Sequence, residues 1–124
     1  MEGAEGAWTE RRSDGISGKA SVRGPLDIAI VRRVIRRNIK DVRLCYVQQL
    51  EKKPRLSGRL RVHFTIASTG QVVASELESS TMGDAKLEIC MVQAVRRWEF
   101  PRPEGGRTVV VTYPFFLTPA AVGP

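Results

Sequence analysis

The chain has 124 residues, 42% of them apolar, with a formal net charge of +7 and a pI near 10.1. That length suits one domain of ordinary size, and no run of about 18 apolar residues reads as a membrane-spanning helix. The basic balance permits nucleic acid, an anionic membrane surface, a polyanionic wall or an acidic protein, and selects none of them.

Residues 1–24 read as a flexible tail. Met1-Glu2-Gly3-Ala4 lacks the basic start and apolar centre of a signal peptide. The first fifteen residues are rich in Gly, Ser and charge, the composition of a segment without a core. Ile16, Gly18, Ala20 and Val22 alternate weakly and suggest a short extra strand over 16–22. Gly24-Pro25 then breaks the chain.

Asp27 is suited to cap a helix by accepting an N–H from the first turn. Ile28, Val31, Val34/Ile35, Ile39, Val42, Cys45/Tyr46 and Leu50 keep the 3.6-residue period, which predicts one helix to about Lys52. Pro54 stops it. Arg32, Arg33, Arg36, Arg37, Lys40 and Arg43 fill much of its remaining surface. Leu60, Val62, Phe64 and Ile66 alternate with Arg59, Arg61, His63 and Thr65, a half-buried strand with one wet face. Ser68-Thr69-Gly70 makes the hairpin turn, with Gly70 at positive φ. In the partner strand, 72–78, Val72 and Leu77 have opposite parity, which points to a bulge. Residues 79–83 read as a loop, and Asp84 caps a second helix through Trp98 with Leu87, Cys90/Met91, Ala94 and Trp98 on one face. Residues 100–106 form a Pro/Gly connector. Thr108 to Phe116 is β-branched and aromatic, hence strand. Pro114 inside it implies an edge strand, or pairing that stops near Tyr113. Residues 118–124 are a tail.

The expected fold class is therefore α+β, in the order helix-strand-strand-helix-strand. Two helices pack on one face of a three-stranded antiparallel sheet, all within residues 25–117. Trp98 and Phe100 anchor the second helix to that sheet, and Pro101 releases the chain. Cys45 and Cys90 both point into the helix–sheet layer. They are either two buried thiols or one disulfide closing a loop of about 45 residues.

No catalytic or cofactor pattern emerges. One His and two distant Cys lack metal-ligand spacing. A Cys–His nucleophile would need His63 beside a cysteine, yet they fall on opposite sides of the sheet. Glu76 and Glu78 read as the solvated side of a strand, and Gly105-Gly106 lacks the Lys-Ser/Thr of a phosphate loop and leads into a strand. The basic residues are not interleaved with aromatic platforms, which disfavours nucleic acid. An edge strand, by contrast, offers a row of unpaired N–H and C=O groups to which an extended peptide can add.

Phe64-Thr65-Ile66, Thr69-Gly70-Gln71-Val72, Arg96-Arg97-Trp98-Glu99-Phe100 and Val109-Val110-Val111 resemble the C-terminal domain of TonB, the periplasmic energy-transducing protein of Gram-negative bacteria. Cys45-Tyr46, Leu56-Ser57-Gly58, Glu88-Ile89-Cys90, Trp98-Glu99-Phe100-Pro101 and Tyr113-Pro114-Phe115 are similar to the AgmX/PglI-type subset common in gliding myxobacteria. The resemblance implies a periplasmic interaction domain with no enzymatic activity and no cofactor. It implies an inner-membrane anchor and motor complex reached through an upstream region. The partner would be a peptide segment of an outer-membrane or periplasmic protein, in gliding motility or energy-dependent transport. Carried over residue by residue, the partner-binding strand is Thr108, Val109, Val110, Val111, Thr112 and Tyr113, and Cys45 and Cys90 form a disulfide. Pro114 departs from TonB and shortens the edge. The alternative is a basic module whose helix face meets an anionic polymer, peptidoglycan or nucleic acid, or an anionic envelope surface.

Overall fold

A computed structural model of the chain describes residues 20–119. The expectations for residues 1–19 and 120–124 lie outside them. The elements are β1 (Ser21–Arg23), α1 (Ile28–Arg37), α2 (Ile39–Leu50), β2 (Gly58–Ile66), β3 (Val72–Ser80), α3 (Ala85–Arg96) and β4 (Val109–Leu117). A single 3₁₀ turn, Glu104–Gly106, lies in the connector before β4.

The long first helix is two helices. Asp27 caps α1, its Oδ1 accepting the Ala29 N–H at 2.9 Å. At Asn38 the backbone leaves helical geometry (φ −106°, ψ 19°). The Asn38 Nδ2 donates to the Val34 carbonyl at 2.8 Å, and its backbone N–H lies 3.1 and 3.0 Å from the Val34 and Ile35 oxygens. The Asn38 side chain thus bonds its own i−4 carbonyl, while its backbone N–H is shared between the i−4 and i−3 carbonyls, the tightened geometry of a helix end. Apolar spacing runs through this point unchanged, which is why periodicity alone missed the break. α2 buries Val42, Cys45, Tyr46 and Gln49. The Tyr46 hydroxyl donates to the Leu56 carbonyl and so holds down the segment that follows Pro54.

Among the described residues the sheet has four antiparallel strands in the order β1-β4-β2-β3, one more than expected. The extra strand falls at the end of the 16–22 range, at Ser21–Arg23, and it joins the far side of β4. β2 alternates as its sequence demands, with Leu60, Val62, Phe64 and Ile66 fully buried. β3 bulges twice. Register slips between Thr65 and Ile66 leave Val73 extra, and slips between Arg61 and Val62 leave Glu78 extra. Inward positions on β3 therefore fall at Val72, Ser75, Leu77 and Ser80, which resolves the parity conflict in the sequence. The strand also runs two residues further than expected, through Ser79 and Ser80.

Helices α1, α2 and α3 contribute to one core with the inner sheet face: Val31, Val34 and Ile35 from α1, Val42 and Tyr46 from α2, Leu87, Met91, Ala94 and Val95 from α3. α3 is capped by Asp84, whose Oδ1 accepts the Leu87 N–H at 2.9 Å and whose Oδ2 sits 3.0 Å from Lys53 Nζ. It ends at Arg96, just before Trp98. Cys45 and Cys90 form a disulfide, with Cα atoms 5.7 Å apart, that ties α2 to α3. Closing a loop with 45 residues of separation stabilises by roughly 4 kcal/mol in the chain-entropy account.

Candidate partner-binding edge

β4 begins at Val109, and Thr108 precedes it. Its inner positions Val109, Val111, Tyr113, Phe115 and Leu117 are buried. Two of them join the aromatic cluster behind: Phe115 stands edge-on to Trp98 at 6.4 Å and 5.3 Å from Tyr113, while Phe64 of β2 stacks on Phe100 at 5.7 Å. The Trp98 Nε1 donates to Asp41 Oδ2 at 2.9 Å, fastening the end of α3 to the start of α2. Trp98 and Phe100 belong to the buried core, while Pro101 is exposed and Pro103 is the buried proline of the connector.

Pro114 does not end the pairing. The ladder to β2 runs without a break from Val109 opposite Ile66 to Leu117 opposite Gly58, with Pro114 opposite Arg61. A proline fits there only as a non-hydrogen-bonded pair, its missing N–H turned away from β2. This parity fixes the rest of the strand. Odd residues 109 to 117 bond to β2; Val110, Thr112, Pro114 and Phe116 turn their backbone groups to the other side.

That other side is the edge predicted to be free from Thr108 to Tyr113, and it is partly taken. Ser21 pairs with Thr112, Val22 with Val111 and Arg23 with Val110. By the same parity, Ser21 and Arg23 exchange backbone hydrogen bonds with Thr112 and Val110. Val22 faces inward and packs against the core. Gly24, at φ +130°, turns the chain off the edge. A Cβ there would lie 2.9 Å from the Thr108 carbonyl oxygen, so only glycine passes so close. β1 pairs with β4 as far as Thr112, and by the same parity the Pro114 carbonyl and both backbone groups of Phe116 also turn to this side. The sequence missed this arrangement because three residues carry too little pattern to name their partner strand.

The outer sheet face is less exposed than its alternation implied. His63 is half-buried, its Nδ1 2.9 Å from Thr112 Oγ1, and Arg61 Nε donates to Glu78 Oε1 at 2.7 Å. Ser21, Arg23, Arg61, His63, Glu78, Val110 and Thr112 line a polar cleft there. Among the described residues, no three His, Cys, Asp or Glu side chains are grouped to hold a metal, and no helix is long and apolar enough to cross a membrane.

The opposite sheet edge, β3, carries the two bulges together with exposed Glu76 and Glu78. Bulges and edge charges are the ordinary means of preventing strand addition. The helix layer presents exposed Arg33, Arg36, Arg37 and Lys40 along α1 and into α2.

No family model and no curated protein matches the chain. Among solved structures it is similar to the solution NMR structure of the Pseudomonas aeruginosa TonB C-terminal domain, at 24% identity, covering 56% of this chain and 72% of that one, with a TM-score of 0.43. A likeness of that size carries no argument about function.

Proposed function

We propose that this chain is a periplasmic protein-interaction domain of a TonB-like protein anchored in the inner membrane, AgmX/PglI-type in its cysteines and its Tyr-Pro-Phe segment. Its partner is an extended segment of an outer-membrane or periplasmic protein, which adds as a strand along β4, and the coupling serves gliding motility or energy-dependent transport. The domain has no catalytic role. The observation that carries the reading is the asymmetry of the sheet edges: β3 is blunted by two bulges, whereas the β4 side already accepts a short extended segment as an added strand. The Cys45–Cys90 disulfide supports an oxidising compartment.

The test is position-specific photo-crosslinking of the full-length protein in its own cells, with the reactive group at Thr108 or Phe116 beside β4 and, as control, at Val73 or Glu76 on β3. The reading expects one shared crosslinked envelope protein from the β4 positions and none from the β3 positions. Crosslinks from β3 alone would sink it.

A second reading rests on the exposed row Arg33, Arg36, Arg37 and Lys40, a basic face suited to an anionic polymer such as peptidoglycan or nucleic acid. Attraction of that kind between solvated charges weakens within a few tenths molar salt, whereas a strand ladder persists.

A further inference from the structure

β1 occupies the residues on which strand addition depends, and it does so with a slender hold. It is three residues long, against nine for β4. Ser21 and Arg23 are exposed and only Val22 packs inward. Its pairing reaches Val110, Val111 and Thr112. The chain joins α1 through Gly24-Pro25-Leu26, where the Leu26 N–H bonds the Gly24 carbonyl at 2.9 Å. Rotation at Gly24 would therefore swing β1 off the sheet and leave α1 and its Asp27 cap in place. What would be uncovered is the outward backbone of Val110 and Thr112, the inner slot beside Val111, and the wall of the polar cleft that holds His63 and Thr112.

We propose that β1 is a resident strand that is exchanged for the partner's strand, and that its sequence states what the β4 edge accepts. This rests on the reading that the partner adds as a strand. The accepted segment runs antiparallel to β4. It places a β-branched apolar residue opposite Val111, where Val22 sits, facing the core. The flanking residues turn to the polar cleft: a small hydroxyl side chain opposite Thr112, as Ser21 is, and a long basic one opposite Val110, as Arg23 is. A strand tethered in cis competes at an effective concentration of roughly millimolar, so β1 excludes weak or mismatched segments. A partner strand longer than the three residues of β1 gains backbone bonds that Ser21–Arg23 do not make. Addition outside β1 is the weaker arrangement, because it offers a three-residue edge in place of most of β4.

The test uses the full chain. Native-state amide exchange should release Val110 and Thr112 at least about 100-fold faster than Val111 and Tyr113, which bond to β2, because local opening of β1 costs less than global unfolding. A synthetic peptide of residues 16–25 serves as the probe. It should bind the Ser21→Pro chain at least about 10-fold tighter than the unmodified chain, and so should the Val22→Asp chain, which loses the inward valine without a proline. The same peptide carrying Asp in place of Val22 should bind neither. Equal protection of Val110, Val111, Thr112 and Tyr113 in the unmodified chain would overturn the exchange of β1 while leaving addition outside it intact. Fast exchange at Val110 and Thr112 in both variants without peptide binding would mean an open edge that takes no strand, and that result removes the strand-addition reading as well.

Discussion

The Phe100 backbone N–H donates to the Gly70 carbonyl at 2.8 Å, so the β2–β3 hairpin turn is clamped to the connector that leads into β4. Gln71 and Glu99 bridge beside it. Gly70 stands at φ +93°, and a Cβ there would lie 2.1 Å from the Phe100 carbonyl oxygen. Gly70→Ala therefore meets both an unfavourable backbone region and a backbone clash. We expect a loss of at least ~2 kcal/mol, read as a lower urea midpoint with an unchanged slope.

Reducing the Cys45–Cys90 bond, or replacing both residues with Ser, removes the link between α2 and α3 but touches no strand. The expected loss is about 2–4 kcal/mol, seen as a lower melting temperature in reductant for the native chain and no reductant effect for the double variant. Partner binding at saturating folded protein should persist. A disulfide-free chain as stable as the native one would contradict the entropic account of this bridge.

Burial pushes the Tyr46 hydroxyl from its ordinary 10.0 up to about 12. The neutral phenol is thus favoured in the fold. Its contribution is whole below the unfolded value and is lost as pH rises from about 10 through about 12. Tyr46→Phe leaves the Leu56 carbonyl unpartnered and should cost ~1–3 kcal/mol near neutral pH. The gap between the two chains should close across that alkaline window, as followed by denaturant midpoints.

Asp84 has the opposite sign. The Leu87 N–H holds its carboxyl below the ordinary 3.8, against burial, with help from Lys53. Its contribution is present above the ordinary carboxylate range and is lost as pH falls through the depressed folded value. Asp84→Asn keeps a cap acceptor and loses the charge. The native chain should therefore exceed it in stability at neutral pH, with the difference shrinking in acid; a difference independent of pH would assign the effect to packing alone.

Much of this fold was legible because local rules decide it. The β2 alternation, the Asp27 and Asp84 caps, the Gly70 turn and the inward Trp98 and Phe100 each follow from spacing or backbone freedom, and the parity of Val72 and Leu77 announced a bulge. Two features depended on information that residues do not carry locally. Asn38 breaks the first helix through its own hydrogen bonds while the apolar period continues past it. Pro114 marks a missing donor, but which neighbour lacks it depends on register, and the register sends that gap to the β1 side. The candidate edge shows this most: β4 was expected as a strand, and the pairing of β1 along it was not. Val22 carries one inward side chain, and nothing in three residues says that it belongs against Val111 from the other end of the chain.

A partner strand on the β4 edge would be read at the backbone amides of that edge. The most direct measurement is an NMR titration of the isotope-labelled full chain with the envelope-protein segment recovered by crosslinking. Strand addition should give shifts and new amide protection at Val110, Thr112 and Phe116, little change at Arg33, Arg36, Arg37 and Lys40, and binding that survives about 0.3 M salt. Shifts centred on those four basic residues, abolished at that salt and absent from β4, would contradict it.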